Sequence, residues 1–149
     1  ADGHWNNRVV KFDKEGRYLL EWGGKGSGPS EFNLPHSILI DRRGRVFVGD
    51  RSNERIQLFT QEGEYLTEWD QFGRPSGMFI DHSDVLYVAD YEKMRGVTYG
   101  NAESGEVLGF IEGSEPEGVV VDLDGNVYTS EVTGGQGGNG EIIRRFVRK

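Results

Sequence analysis

The sequence predicts an all-β fold built from consecutive β-propeller blades, about three of them, or half of a six-bladed ring. Three observations lead there. The chain repeats with a period of about forty residues, each full repeat holds four short apolar runs, and Asp/Gly-rich turns separate the runs.

The period is read from Pro35, Pro75 and Pro116, which lie 40 and 41 residues apart. Each precedes a first extended run, "SILID", "SGMFID" and "EGVVVD", closed by Asp41, Asp81 and Asp122. Second runs, "RVFVGD", "VLYVAD" and "NVYTSE", end at Asp50, Asp90 and Glu131. Third runs follow in "RIQLF", "RGVTYG" and "IIRRF", and fourth runs in "EYLTEW" and "EVLGFI". The opening "RVVKFDKEGRYLLEW" repeats "RIQLFTQEGEYLTEW", which sets Gly16 and Trp22 each 47 residues before Gly63 and Trp69. The expected organisation is one partial propeller over 1–149: 1–23 the back half of a blade, 32–71 and 72–113 complete blades, and 114–149 an incomplete one.

Between the runs, "DRRG", "DKEG", "QEGE", "DLDG" and "SGE" suit tight hairpin turns, where Gly accepts positive φ and Asp bonds its own backbone. "DLDGN" begins like a calcium loop but lacks the glycine and terminal glutamate spacing of one, so it is taken as a turn. "GGKGSGP" lacks the Lys-Ser/Thr ending of a phosphate loop and is a connection between repeats. "GGQGGNG" (134–140) reads as a flexible loop, and no segment carries a helical period. Trp22 and Trp69 recur and are expected to pack between blades; Arg55 and Arg95 recur and are expected to pair with the blades' acidic residues.

Composition narrows the partners. A net charge of −8 disfavours nucleic acid, whose phosphates require a basic face, and the "RRFVRK" cluster is too short to supply one. The chain has no uninterrupted apolar run of about 18 residues, so no membrane partner is expected. Zero cysteines removes thiolate metal sites and disulfides and leaves the compartment open.

In an up-and-down blade the first strand lines the channel, and its entrance shares a face with the loop joining strands two and three. The entrances hold His36, Ser76 and Glu117; the loops hold His4, Arg51 and Tyr91. His36 is thus expected at the channel mouth, either bonded to a backbone carbonyl or water, or ligating a metal with a carboxylate, an ordinary donor set for zinc. His82 falls in the "DHSD" turn at the opposite end. Arg51 is singled out because it does not recur: Gly3, Tyr91 and Val132 occupy the matching positions.

From "DGHWNNRVVKF", "FNLPHSILID", "GDRSNERIQLF", "RPSGMFID…LYVADYE" and "GNVYTSEV", the chain resembles NHL-repeat propellers, in particular bacterial relatives of peptidyl-α-hydroxyglycine α-amidating lyase, over their C-terminal half. That lyase cleaves a hydroxyglycine-extended peptide to a peptide amide and glyoxylate at a zinc held by three histidines. The resemblance implies that His36 matches a zinc histidine and Arg51 an arginine that binds substrate carboxylate or developing oxyanion. His4 stands where the family has a catalytic tyrosine, Glu117 replaces another zinc histidine, and Gly118 replaces an aspartate of a calcium site. The resemblance also implies a secreted or periplasmic setting.

Two functions follow as expectations. One is a metal-dependent, lyase-like or hydrolase-like site, with His36 and Glu117 holding zinc or another divalent metal, and Arg51 and His4 as catalytic groups toward a small anionic or peptide ligand. The other is a non-catalytic NHL scaffold whose loop face binds a protein or peptide. Self-association is expected as well, a homodimer that closes the propeller and covers its open strand edges.

Overall fold

The computed structural model describes residues 1–132 and 142–147. Thirteen strands form four antiparallel sheets among them, and no α-helix occurs. The first sheet pairs β1 (Arg8–Phe12) with β2 (Tyr18–Gly23). The second runs β3 (Pro35–Ile40), β4 (Val46–Asp50), β5 (Arg55–Phe59) and β6 (Tyr65–Trp69) in chain order. The third runs β7 (Gly77–Ile80), β8 (Val85–Asp90), β9 (Gly96–Asn101) and β10 (Val107–Glu112), and the fourth β11 (Pro116–Val121), β12 (Val127–Glu131) and β13 (Ile143–Phe146). Sequential order within every sheet is the meander of a propeller blade, so the all-β propeller architecture expected from the repeat is the one observed. No helix of the described residues is long and apolar enough to cross a membrane. The glycine-rich 134–140 segment lies outside the described residues.

The turns form as their chemistry dictates. Asp41 Oδ1 accepts the amides of Arg43 at 2.9 Å and Arg45 at 2.8 Å, while Gly44 takes φ 79°. Asp122 does the same for Asp124 and Asn126, and its second oxygen accepts Asn126 Nδ2 at 2.8 Å and the Tyr128 hydroxyl at 3.0 Å. With both oxygens engaged by the hairpin, "DLDGN" is a turn. His82 is exposed in the corresponding β7–β8 turn, away from the channel mouth.

The core consists of three layers between successive sheets. Val9, Phe32, Val46, Val48 and Phe59 fill the first layer, with Trp22 against them. Phe47, Leu58, Trp69, Phe72, Leu86 and Val88 belong to the second, and Ala89, Val97, Val119 and Val127 make the third. The tryptophans do pack between blades, each over the β-turn glycine of the next sheet: a Cβ on Gly63 would lie 2.9 Å from Trp22, and one on Gly105 2.6 Å from Trp69.

A buried acid at the end of each second strand fastens the connection that arrives from the previous blade. Asp50 Oδ1 accepts the amide of Asn33 at 2.7 Å, Asp90 Oδ2 that of Arg74 at 2.8 Å, and Glu131 Oε2 that of Glu115 at 2.6 Å. Asp50 and Asp90 are fully buried, and Asp50 also takes Arg55 Nε at 2.9 Å. Arg55 thus pairs with its own blade's acid as expected, whereas Arg95 reaches forward to Glu115 of the next sheet. These fastenings fix the first-strand entrances, and hence the channel mouth.

Candidate functional site

His36 is the second residue of β3, where Pro35 pairs with Asp50 and the register shifts before Ser37. Its Nδ1 lies 2.8 Å from the Ser76 carbonyl oxygen at the entrance of the next blade. A carbonyl only accepts, so Nδ1 carries the hydrogen and Nε2 faces the other way with its lone pair or a second proton. Nε2 lies 3.2 Å from Glu117 Oε1, on the entrance of the blade after that. Three consecutive entrances therefore meet at one imidazole.

That contact has a chemical requirement. A lone pair on Nε2 and a carboxylate lone pair repel, so a proton or a cation has to lie between them. Two ligands of one tetrahedral zinc at about 2.1 Å stand roughly 3.4 Å apart, close to the separation seen. His36 and Glu117 thus fit as a pair of metal donors. Among the described residues, however, no group of three or more His, Asp or Glu side chains is gathered in metal-binding geometry. Catalytic zinc sites take three protein ligands, so this pair alone is short of one.

His4 is brought to the same place by its loop. Asp2 and Arg8 close the loop through a two-way backbone bridge, and Asn7 Oδ1 accepts the Leu34 amide at 3.0 Å. Gly3 lies so close to Pro35 that a Cβ there would fall 2.0 Å from the Pro35 carbonyl. The loop is thereby seated on the segment that carries His36, and the two imidazole centroids are 6.3 Å apart, tilted by 50°. His4 is exposed and free to meet a ligand. Asp2 accepts Asn6 Nδ2 at 2.8 Å and Arg8 Nε at 3.0 Å, and these hydrogen bonds, Asn6 first, hold its carboxyl below the ordinary range.

Arg51 opens the 3₁₀ turn Arg51–Asn53 directly after β4, with its amide bonded to the Leu34 carbonyl. Its side chain is only 9% exposed and points to the next blade's loop. The guanidinium lies over the Tyr91 ring, 4.7 Å from its centroid, donates to the Tyr91 hydroxyl, and stands 3.3 Å from Glu92 Oε1. The four residues singled out from the sequence, His4, His36, Arg51 and Glu117, all lie at this end of the sheets, where His36 touches Glu117 and neighbours His4. Arg51 is engaged with Tyr91 and Glu92 instead.

Two members of the site were not foreseen. Arg74, immediately before Pro75, forms an ion pair with the other oxygen of Glu92. The rule that singled out Arg51 applies to both: Leu34 and Glu115 stand at the positions matching Arg74, and Ser52 and Thr133 at those matching Glu92. Their charge is likewise non-repeating.

Comparison with known proteins agrees with the architecture. A family described as "6-bladed beta-propeller" matches residues 2–70. NHL repeat-containing protein 3 of Homo sapiens is 46% identical over 54 residues, 36% of this chain and 16% of that protein. Peptidyl-glycine alpha-amidating monooxygenase of Mus musculus is 31% identical over 151 residues, 88% of this chain and 15% of that protein. The chain therefore spans roughly a sixth of the length of these curated relatives. Among solved structures, virginiamycin B lyase of Staphylococcus aureus superposes with TM-score 0.70 at 18% identity, covering 95% of this chain and 49% of that one, a likeness of fold.

Proposed function

We propose, for a chain that is an NHL-type propeller resembling the amidating lyases, that the channel mouth is a lyase-like site for a small anionic or peptide ligand, with a divalent cation on His36 and Glu117. The observation that carries this reading is the His36 contact pair: Nδ1 tied to the Ser76 carbonyl at 2.8 Å and Nε2 turned to Glu117 at 3.2 Å. A carbonyl partner on the far nitrogen is the usual means of orienting a metal-ligating imidazole.

When bound, such a cation supplies Lewis acidity toward a substrate oxygen. The rest falls to the chain's own groups. Ser76 and the blade behind it fix the ring plane of His36. Arg51, preset by Tyr91, presents a guanidinium to a carboxylate or developing oxyanion. His4, exposed at the rim, stands where an imidazole can pass a proton to or from a ligand. Remaining ligands come from outside the described residues of one chain: solvent, substrate, or further protein.

Metal analysis of protein purified without added metal tests this. A stoichiometric transition metal is expected, lost in His36→Ala while the circular dichroism of the sheets is unchanged. Full metal occupancy in that variant would end the proposal. The second reading, a non-catalytic scaffold that binds a protein or peptide on the loop face, is favoured by the donor set stopping at two among the described residues. No bound metal in the unmodified protein decides for it.

A further inference from the structure

Glu92 is held by two arginines from two different connections. Arg51 Nη2 is 3.3 Å from Glu92 Oε1, and Arg74 Nη1 bonds Oε2. One carboxylate against two guanidiniums leaves a local charge of +1. The Nε atoms of Arg51 and Arg74 are both buried and meet no acceptor among the described residues. A buried guanidinium N–H without an acceptor is costly, and Arg51, 9% exposed, cannot turn to water to satisfy it. Both arginine residues have anchors besides Glu92. Tyr91 stacks on Arg51, and the Arg74 backbone is fastened by Asp90, two residues from the Ser76 carbonyl that orients His36.

Glu92 is the most exposed partner of the three. It sits in the exposed loop that joins β8 and β9, its side chain is 34% exposed, and besides the two arginines it is tied through its backbone amide, at 2.9 Å to Asp90 Oδ1. A rotamer change carries its carboxylate into water without moving the backbone. The charge of the arginines is then uncompensated.

We propose that Glu92 is an internal stand-in for a ligand carboxylate, and that a carboxylate-bearing ligand binds Arg51 and Arg74 by displacing it. One carboxylate replaces another, so the net charge of the cluster is unchanged and no guanidinium is left unpaired. Glu92 sets the threshold: the site's apparent affinity falls by the fraction of molecules in which Glu92 has left it. Arg74 becomes a second anion-binding group beside Arg51. The inference rests on the channel mouth being a ligand site, as proposed above, and does not depend on a metal.

The test is calorimetric titration of N-acetylglycine into chelator-treated protein, so that failure of the metal reading leaves it intact. Glu92→Gln is expected to tighten binding about tenfold, as removal of a one-in-ten open population would. Arg74→Gln is expected to weaken it by a similar factor. Glu103→Gln removes the same charge at the opposite end, where Glu103 pairs with Arg43, and is expected to change nothing. The proposal is overturned if Glu92→Gln binds no tighter than the unmodified protein, if Glu103→Gln tightens binding equally, or if Arg74→Gln binds as well as before.

Discussion

Asp2 shows how single side chains set the site. Its carboxyl, 3.8 in ordinary surroundings, is held lower by hydrogen bonds from Asn6 and Arg8, and those bonds close the loop that carries His4. A carboxyl depressed in the folded state adds stability above its ordinary value and loses it as the pH falls through the folded one. The loop is therefore expected to hold down to about pH 4 and to loosen below it. Trp5, 90% exposed in the same loop, reports on this through its indole N–H resonance. That resonance should shift with a midpoint below 3.8 and become insensitive to acid in Asp2→Asn. A midpoint at or above 3.8 would dismiss the role given to Asp2. At this scale the sequence was legible where position alone decides. His4, His36, Arg51 and Glu117 share a face because strand alternation and loop order put them there. The Arg51–Glu92–Arg74 cluster was not legible, because it depends on side-chain direction across a blade boundary.

The strands and turns were legible almost throughout, since Asp-x-x-Gly hairpins and period-two apolar runs are local signals. The fastening role of Asp50, Asp90 and Glu131 was not. Their recurrence is plain, but their partners lie 16 or 17 residues upstream on another connection. The recurring tryptophans were recognised as packing groups without their counterparts, the turn glycines. Gly105 combines φ +77° with an approach to Trp69 that leaves no room for a methyl group. Gly105→Ala thus adds left-handed backbone strain to an overpacked contact, and should cost about 2–5 kcal/mol. Gly16, with similar φ but nothing within 4 Å, isolates the first cost from the second. Gly16→Ala should cost only the strain, about 1–2 kcal/mol in urea denaturation. Equal losses for the two would show that Trp69 has no part in joining the blades.

As a whole molecule, the thirteen strands leave apolar surface along the flanks of the array. On the outward face of the first sheet Val10, Phe12 and Tyr18 line a groove, with Phe12 56% and Tyr18 57% exposed. On the fourth sheet Val120 and Ile143 are 53% and 66% exposed, and among the described residues β13 has a neighbour only in β12. An open strand edge beside exposed apolar side chains is a template for pairing, and in a propeller the partner that fits is another blade edge. A second copy of the chain brings both outward faces, so a two-fold arrangement can cover each with the other and close the ring. Such a ring would also present His36 and Glu117 twice, raising the donor set from two to four. Light scattering of the 149-residue chain at micromolar concentration should give twice its 16.7 kDa mass. Tyr18→Lys, which puts a charge into the outward groove of the first sheet, should return it to a folded monomer. A monodisperse monomer of the unmodified chain, or a polydisperse aggregate, would each rule out the closed dimer.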